Sequence, residues 1–217
     1  MKKLKYVGIF LMLGVVSLFA QANRYDVKSG MVEYEIMGSG EVMGSATTVS
    51  GTGKLYFKDF GNVELTDEKI QQTVLGDKEE ERMISKIMGD KIYTVDFTDE
   101  VVYTQKMVID DENANLNVRN KEAFISMGAK NLGSEEILGY KCDVWQLGED
   151  KIWIYNTVPL KFISKSLGLV QIQEAKLAVF NVDIKDDKFK LPSFPVKAVD
   201  DVLNIGPEGE ISHEQDN

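Results

Sequence analysis

Residues 139–161, GYKCDVWQLGEDKIWIYNTVPLK, contain both tryptophans and the single cysteine of this 217-residue chain. Apolar and polar residues alternate on both sides of the segment 148–150, which is the pattern of two antiparallel strands joined by a short hairpin loop. Such a hairpin places Trp145 and Trp153 opposite each other, as a cross-strand aromatic pair. Cys142 lies within the same pattern and has no second cysteine to pair with, so we interpret it as a buried packing residue. The stretch predicts a β-sheet scaffold rather than a redox site.

The same period of two extends over most of residues 30–180 and predicts a succession of hairpins. Gly89-Asp90 is typical of a two-residue type II′ turn, because glycine readily takes the positive φ that this turn requires. Near Glu174-Ala175 the apolar positions change parity, which predicts a β-bulge. Residues 37–53 are rich in Gly, Ser and Thr and predict two irregular strands that meet at flexible turns. Together these patterns predict a mainly β chain.

A break in the alternation predicts one short helix. Asn120 is typical of a helix N-cap, and Gly128 is typical of a helix end. Between them Ala123, Phe124 and Met127 form one apolar stripe. We interpret this stripe either as part of the core or as the inner side of a lid over a pocket.

The start of the chain carries an export pattern. Three lysines within the first five residues precede an apolar run over residues 6–19, and a small-x-small cleavage site, Ala20-Gln21-Ala22, follows. The run is shorter than the roughly 20 residues that span a bilayer. Residues 1–22 are therefore predicted to be a cleaved signal peptide, and the mature protein is predicted to be periplasmic with no stable membrane insertion. The formal net charge of −10 disfavours nucleic acid as a partner.

The composition also argues against catalysis. The only histidine, His213, lies in a polar acidic tail, so nucleophilic catalysis with a histidine base is disfavoured. A zinc site would need several cysteine or histidine ligands. Carboxylates are plentiful but lie at turns or alternate outward, as Glu33 and Glu35 do, so we interpret them as a solvated acidic face. We predict a non-enzymatic protein with no catalytic residue, metal or cofactor; a carboxylate pair with a raised pKa in a cleft would indicate an enzyme.

Several segments together resemble one family. They are VKSGMVEYEI (27–36), GKLYFKDFG (53–61), LGYKCDVW (138–145), KIWIY (151–155) and FKLP (189–192). The chain resembles uncharacterised exported bacterial domains related to the outer-membrane lipoprotein carriers. The resemblance implies a curved antiparallel sheet or half-barrel with one or a few short helices on its concave side. In the carriers this concavity accepts lipoprotein acyl chains.

Several strands are apolar on both sides, so the second face of the sheet also needs a cover. One face builds the core, and the other is covered by the helix, by a partner or by a ligand. We predict a single domain over residues 23–195, followed by an extension and a disordered acidic tail over residues 196–217. The predicted function is to hold an apolar ligand (an acyl chain, a lipid or a lipophilic peptide) in the concavity. The alternative is a filled-core module that docks on another envelope protein through an edge strand or the loop 110–119.

The candidate ligand-binding residues are apolar or aromatic and are candidates for core or cavity alike. They are Tyr34, Ile36, Leu55, Phe57, Tyr93, Val95, Phe97, Trp145, Trp153 and Tyr155, with Phe124 and Met127 as lid contacts.

Overall fold

The structure, a computed structural model, describes residues 23–42, 44–106 and 121–199. Within these residues twelve strands form one sheet, accompanied by one α-helix and two 3₁₀ turns. The strands are β1 (Gly30–Val42), β2 (Ser45–Lys58), β3 (Val63–Val74), β4 (Asp77–Met88), β5 (Lys91–Asp96), β6 (Val101–Lys106), β7 (Lys130–Ile137), β8 (Tyr140–Leu147), β9 (Asp150–Tyr155), β10 (Val158–Ser166), β11 (Leu169–Phe180) and β12 (Val196–Ala198). The helix α1 spans Lys121–Ser126, and the 3₁₀ turns span Asp59–Gly61 and Asp186–Phe189.

The predicted short helix is present as α1, and Gly128 follows it with a φ of +79°. This left-handed conformation is typical of the glycine that ends a helix. In the described part of the chain, no helix has the length and apolar character needed to cross a bilayer. Predictions on five other parts lie outside the described residues: the signal peptide at 1–22, the loop 110–119, Asn120, the Ala123 side chain and the tail from residue 200 onward.

The sheet is open and curved, and its described strands run in the order β12-β6-β5-β4-β3-β2-β1-β11-β10-β9-β8-β7. Neighbouring strands are antiparallel except β12, which pairs in parallel with β6. The predicted fold class, a mainly β curved antiparallel sheet with little helix, is confirmed. The sheet continues beyond the predicted boundary at residue 195, because Val196–Ala198 form β12.

One turn and one β-bulge lie where the sequence predicts them. Met88 pairs with Lys91, so Gly89-Asp90 is a two-residue turn, and Gly89 has a φ of +62°. In β11 the register with β1 shifts at Lys176, next to the predicted bulge position. Both features depend on residues within a few positions of each other, which explains why the sequence reveals them.

The Gly-rich stretch is not irregular, and this prediction is wrong. Strands β1 and β2 pair continuously through it, from Gly30 to Val42. A Cβ added at Gly40 would lie 2.0 Å from the backbone oxygen of Gly168, and one at Gly51 would lie 2.4 Å from that of Lys69. Gly40 and Gly51 therefore permit close approach of neighbouring backbones within the sheet, and Gly44, with a φ of +79°, lies in the turn between β1 and β2.

The predicted cross-strand pairing of Trp145 with Trp153 is also wrong. Leu147 pairs with Asp150, so the hairpin loop has two residues, one fewer than the sequence suggests. Trp145 consequently lies opposite Ile152 and not opposite Trp153. A change of one residue in the loop exchanges the faces of a strand, because side chains alternate with a period of two.

The largest cluster of buried side chains includes aromatic residues from the beginning of the domain. The Tyr25 and Phe57 rings are 4.4 Å apart, both side chains are fully buried, and Phe180 packs against Phe57. Cys142 is fully buried in this cluster, as predicted, together with Trp153. The cluster anchors the strands that carry the candidate site.

Candidate functional site

One row of side chains crosses five strands from β8 to β1. Trp145, Ile152, Phe162, Gln173 and Ile36 are successive cross-strand partners in β8, β9, β10, β11 and β1. Directly opposite residues of an antiparallel pair point to the same face. We call this face, which also carries α1, the helix face. Its row is apolar except for Gln173.

The helix α1 covers one end of this row. The Phe124 ring stacks on the Trp145 indole at 5.4 Å between centroids and 15° between planes. Ile154 completes the buried cluster. A helix of six residues is too short to be stable by itself in water, so the packing of Phe124 is what holds it on the sheet. The helix has the geometry of a small lid.

The solvent-facing side of the lid is apolar as well. Ile125 is 56% exposed and Met127 is 38% exposed. Phe124 and Met127 are both predicted lid contacts; Phe124 makes the buried contact with the sheet, and Met127 is partly exposed. Two apolar side chains in water next to a short helix indicate a surface that is not fully covered.

The helix face is not filled by one continuous core in the described part of the chain. Phe124, Trp145 and Ile154 form one buried cluster, and Ile36 with Val49 and Ile70 forms another. Phe162 and Gln173 lie between them in the row, and neither belongs to either cluster. Tyr34 and Ala175 of the largest cluster lie beside this interval on the same face, so Gln173 is a buried polar residue among apolar ones.

Two buried polar side chains border the interval. Glu68 of β3 is 3% exposed and Gln173 is 2% exposed. Gln173 Nε2 and Glu68 Cγ each lie 3.5 Å from the position that a Cβ on Gly53 would occupy, as does Tyr34 Cδ2. The two polar side chains therefore converge above the glycine of β2, where the position of the missing Cβ is left open.

Hydrogen bonds do not satisfy this pair. Among the described residues, Glu68 Oε1 and both polar atoms of the Gln173 side chain have no hydrogen-bond partner. Burial raises the pKa of Glu68 to about 7; the interaction with the Gln173 side chain offsets part of that shift, and the charge of Asp67 adds to it. An unsatisfied buried polar group typically costs about 1–3 kcal/mol, so this pair calls for an explanation.

A second buried glutamate on the same strand shows the contrast. Glu64 lies four residues before Glu68, on the same face of β3, and is 8% exposed. The Tyr25 hydroxyl donates a 2.8 Å hydrogen bond to Glu64 Oε2. Tyr34, next to the unsatisfied pair, instead donates its hydroxyl to the Pro159 carbonyl at 2.7 Å. Glu64 is thus part of the scaffold, whereas Glu68 is left available.

The structure divides the sequence-predicted residues into separate groups. Tyr34, Leu55, Phe57 and Trp153 lie in the largest buried cluster, with Tyr155 packed at its margin. Ile36 lies in the small cluster on the helix face, and Phe124 and Trp145 lie under the lid.

Three of the predicted residues lie on the opposite face. Val95 is buried there, and Tyr93 and Phe97 pack beside it, in a cluster with Phe189 from the second 3₁₀ turn. The register runs from Val95 through Ile84 to Asp67, which alternates with Glu68 on β3. These three side chains therefore pack under the C-terminal segment and do not line the helix face.

The opposite face carries a separate polar groove of about 830 Å³, lined by β1 to β4 and by residues 187–190. Opposite charges pair across it. Lys54 Nζ lies 3.3 Å from Glu33 Oε1, and Arg82 donates two hydrogen bonds, of 2.9 and 2.8 Å, to the Asp67 carboxylate. Because exposed ion pairs of this kind contribute at most about 1 kcal/mol, we interpret the groove as a solvated charged surface.

Sequence reasoning missed Glu68 and Gln173. In β11 the apolar residues Val170 and Ile172 alternate with glutamines, a pattern that favours buried apolar residues and exposed glutamines, but Val170 is 39% exposed and Gln173 is buried. The available signal was that Glu68 lies two positions from Ile70, a buried residue of the same face. This signal is weak, because Glu64 and Thr66 lie on the same face of β3.

Comparisons with known proteins concern the fold. No protein-family model and no curated protein matches the chain. Among solved structures, an uncharacterized conserved protein from Thermus thermophilus is 7% identical, with 77% of this chain and 90% of that chain covered and a TM-score of 0.43. LprF from Mycobacterium bovis is 9% identical, with 76% and 90% covered and a TM-score of 0.32.

A domain from Vibrio parahaemolyticus assigned to the outer-membrane lipoprotein-sorting proteins is 10% identical, with 75% of this chain and 89% of that chain covered and a TM-score of 0.28.

Proposed function

We propose that this protein is an exported binding protein of the bacterial envelope. It holds an apolar ligand, such as an acyl chain, a lipid or a lipophilic peptide, on the helix face beneath α1. The observation that carries the proposal is the lid itself, a six-residue helix attached to the sheet by the stacking of Phe124 on Trp145. The resemblance of the sequence to the lipoprotein carriers supports the same class of ligand.

The proposal is for binding rather than catalysis. Glu68 has the raised pKa that would mark an acid or base in a cleft, but its neighbour across Gly53 is an amide, Gln173, and not a second carboxylate. The nearest buried acid on the same strand, Glu64, is four residues away, which is about 13 Å along a strand. A carboxyl–amide pair is suited to hydrogen bonding with a ligand.

Quenching by a brominated ligand tests the location of the site. Bromododecanol carries a terminal bromine that quenches tryptophan fluorescence on contact. Trp145 lies on the helix face under the lid, whereas Trp153 lies in the largest core cluster, where its indole N–H donates to Glu135 at 2.7 Å. Variants with one tryptophan each, Trp153→Phe and Trp145→Phe, therefore form a matched pair.

Saturable quenching of Trp145 with little quenching of Trp153 is the expected result. Equal quenching of both tryptophans, or none, contradicts binding on the helix face. Native mass spectrometry of the protein purified from its own envelope, followed by organic extraction, then identifies the natural ligand class.

The lid has its own test. Phe124→Ala removes the ring stack, which contributes roughly 0.5–1.5 kcal/mol beyond area burial, so the open state should increase by up to roughly tenfold. We expect faster ligand release and greater acrylamide quenching of Trp145. Ile125→Ala is the matched control, because that side chain lies on the same helix and is 56% exposed. Equal effects of the two substitutions would show that α1 is not a lid.

A second candidate function is docking to another envelope protein. The observation that favours it is β7, Lys130–Ile137, an edge strand whose residues are almost all exposed. An open strand edge can pair with a strand of a partner. A bare polypeptide mass in native mass spectrometry, with no uptake of added lipid, would favour this function over ligand binding.

A further inference from the structure

We infer that Glu68 and Gln173 form the polar end of the ligand site and recognise an uncharged hydrogen-bonding group, a hydroxyl or a carboxamide, on an amphipathic ligand. This inference rests on the proposed function and specifies the chemistry of the ligand. It concerns a binding subsite within the helix face and assigns its two polar residues.

Both side chains are buried with polar atoms left unsatisfied. Glu68 is 3% exposed and Gln173 is 2% exposed. Three polar atoms of the two side chains have no hydrogen-bond partner among the described residues. The scaffold contains a comparable glutamate, Glu64, that is satisfied by Tyr25. A pair kept buried and unsatisfied is better explained by a group that arrives with the ligand than by stability.

Gly53 leaves open space next to Glu68 and Gln173. Gly53 lies between Tyr34 and Glu68 in the cross-strand register of β1, β2 and β3. Its Cβ position is 3.5 Å from atoms of Tyr34, Glu68 and Gln173, which is ordinary contact distance. The position of the missing Cβ is thus left open next to the two polar side chains, on a face of β3 that also carries Glu64 and Thr66.

The hydrogen-bonding groups of Glu68 and Gln173 favour an uncharged polar group on the ligand. A carboxylate accepts hydrogen bonds, and a primary amide both donates and accepts. Hydroxyl and carboxamide groups also both donate and accept, so each can satisfy Glu68 and Gln173 together. A ligand carboxylate would bring a second negative charge to Glu68 in a buried site, which is unfavourable. An ammonium group would have to lose its hydration on entry, which is costly even beside a carboxylate.

The position of the pair also suggests how the ligand lies. Gln173 and Trp145 belong to the same row and are separated by three strand spacings, or about 14 Å at about 4.8 Å each. A saturated chain that starts at the pair therefore reaches the lid. The polar group would lie at Glu68 and Gln173, and the end of the chain would lie under Phe124.

A series of dodecyl compounds that differ only in the polar group tests the inference. The full mature protein is titrated at about pH 8 with lauryl alcohol, lauramide, laurylamine and laurate, by calorimetry or by displacement of bromododecanol. We expect the alcohol and the amide to bind roughly tenfold or more tightly than laurate. Laurate cannot donate a hydrogen bond to the Glu68 carboxylate, and it adds a second negative charge beside it.

Two variants and one control assign the effect to the pair. Glu68→Gln should remove most of the discrimination against laurate, and Gln173→Met should weaken the alcohol and the amide without improving laurate. Glu64→Gln makes the same chemical change on the same face of β3 and should leave the order of the four ligands unchanged.

The outcomes separate the two proposals. If all four compounds bind equally and Glu68→Gln changes nothing, the polar subsite is wrong while the apolar site stands. Preference for the amine over the alcohol and the amide also overturns the inference. If no compound binds the wild-type protein, the proposed function fails and the subsite fails with it.

Discussion

The buried carboxyl of Glu68 leads to a quantitative prediction about stability and pH. Burial raises its pKa in the folded protein to about 7, from the usual 4.5. Each unit of pKa difference corresponds to about 1.4 kcal/mol, so the shift corresponds to roughly 3–4 kcal/mol. The side chain is only 3% exposed, and solvent screening therefore does not reduce this figure much.

The sign follows from proton binding. Between about pH 4.5 and pH 7 the folded protein keeps the Glu68 proton and the unfolded chain has lost it, so the free energy of unfolding falls as pH rises. The contribution of the Glu68 proton to the free energy of unfolding is fully present below the pKa of this group in the unfolded chain. It is lost by about pH 7, and above that pH the contribution of Glu68 no longer changes. Glu68→Gln has no proton to lose at this position and should not show this fall.

Urea unfolding of the wild type and of Glu68→Gln across this range measures the difference. We expect the wild type to lose roughly 2–3 kcal/mol relative to the variant between about pH 5 and about pH 8. Gln173→Leu should extend the fall to higher pH, because the amide of Gln173 lowers the pKa of Glu68. Parallel curves for the wild type and Glu68→Gln would refute the raised pKa.

Further predictions concern packing. Cys142→Ala should cost roughly 1–3 kcal/mol in the free energy of unfolding and leave ligand binding intact, since it removes a fully buried small group outside the site; loss of binding in a folded variant would contradict this. Burial raises the pKa of Cys142 to about 11, so its thiol should react with a disulfide reagent at about pH 8 only when urea unfolds the protein, and rapid reaction of the native state would count against its burial. Gly40→Ala should cost roughly 1–3 kcal/mol in chemical unfolding, because the added Cβ would lie 2.0 Å from the Gly168 oxygen. Ser39→Ala is its control in the same strand, and an equal cost in both would rule out the close approach.

The sequence predicts the hairpin succession well because the interactions that specify it are local. Gly89-Asp90 closes a two-residue turn, and the change of parity near Glu174-Ala175 corresponds to the bulge at Lys176. The burial of Cys142 follows from its place in an alternating strand. In each case a few neighbouring residues carry the whole signal.

The candidate site is less accessible to sequence reasoning because it depends on register. One residue fewer in the loop after Leu147 moves Trp145 and Trp153 to different faces, and hence to the lid cluster and the main core. The same alternation put Tyr93, Val95 and Phe97 in the predicted site, while the sheet places them on the opposite face. Apolar character alone does not distinguish these locations.

By itself, the sequence determined the strands, the turns, the short helix and the mainly β class, because period-two alternation and turn residues act over a few positions. Only the tertiary structure decided that Glu68 and Gln173 meet above Gly53. These residues belong to β3, β11 and β2, with β1 between the last two, and their contact depends on the pairing of segments more than 100 residues apart in the chain. Such pairing is selected by the packing of the whole sheet, so a polar pair in its interior has no local signature.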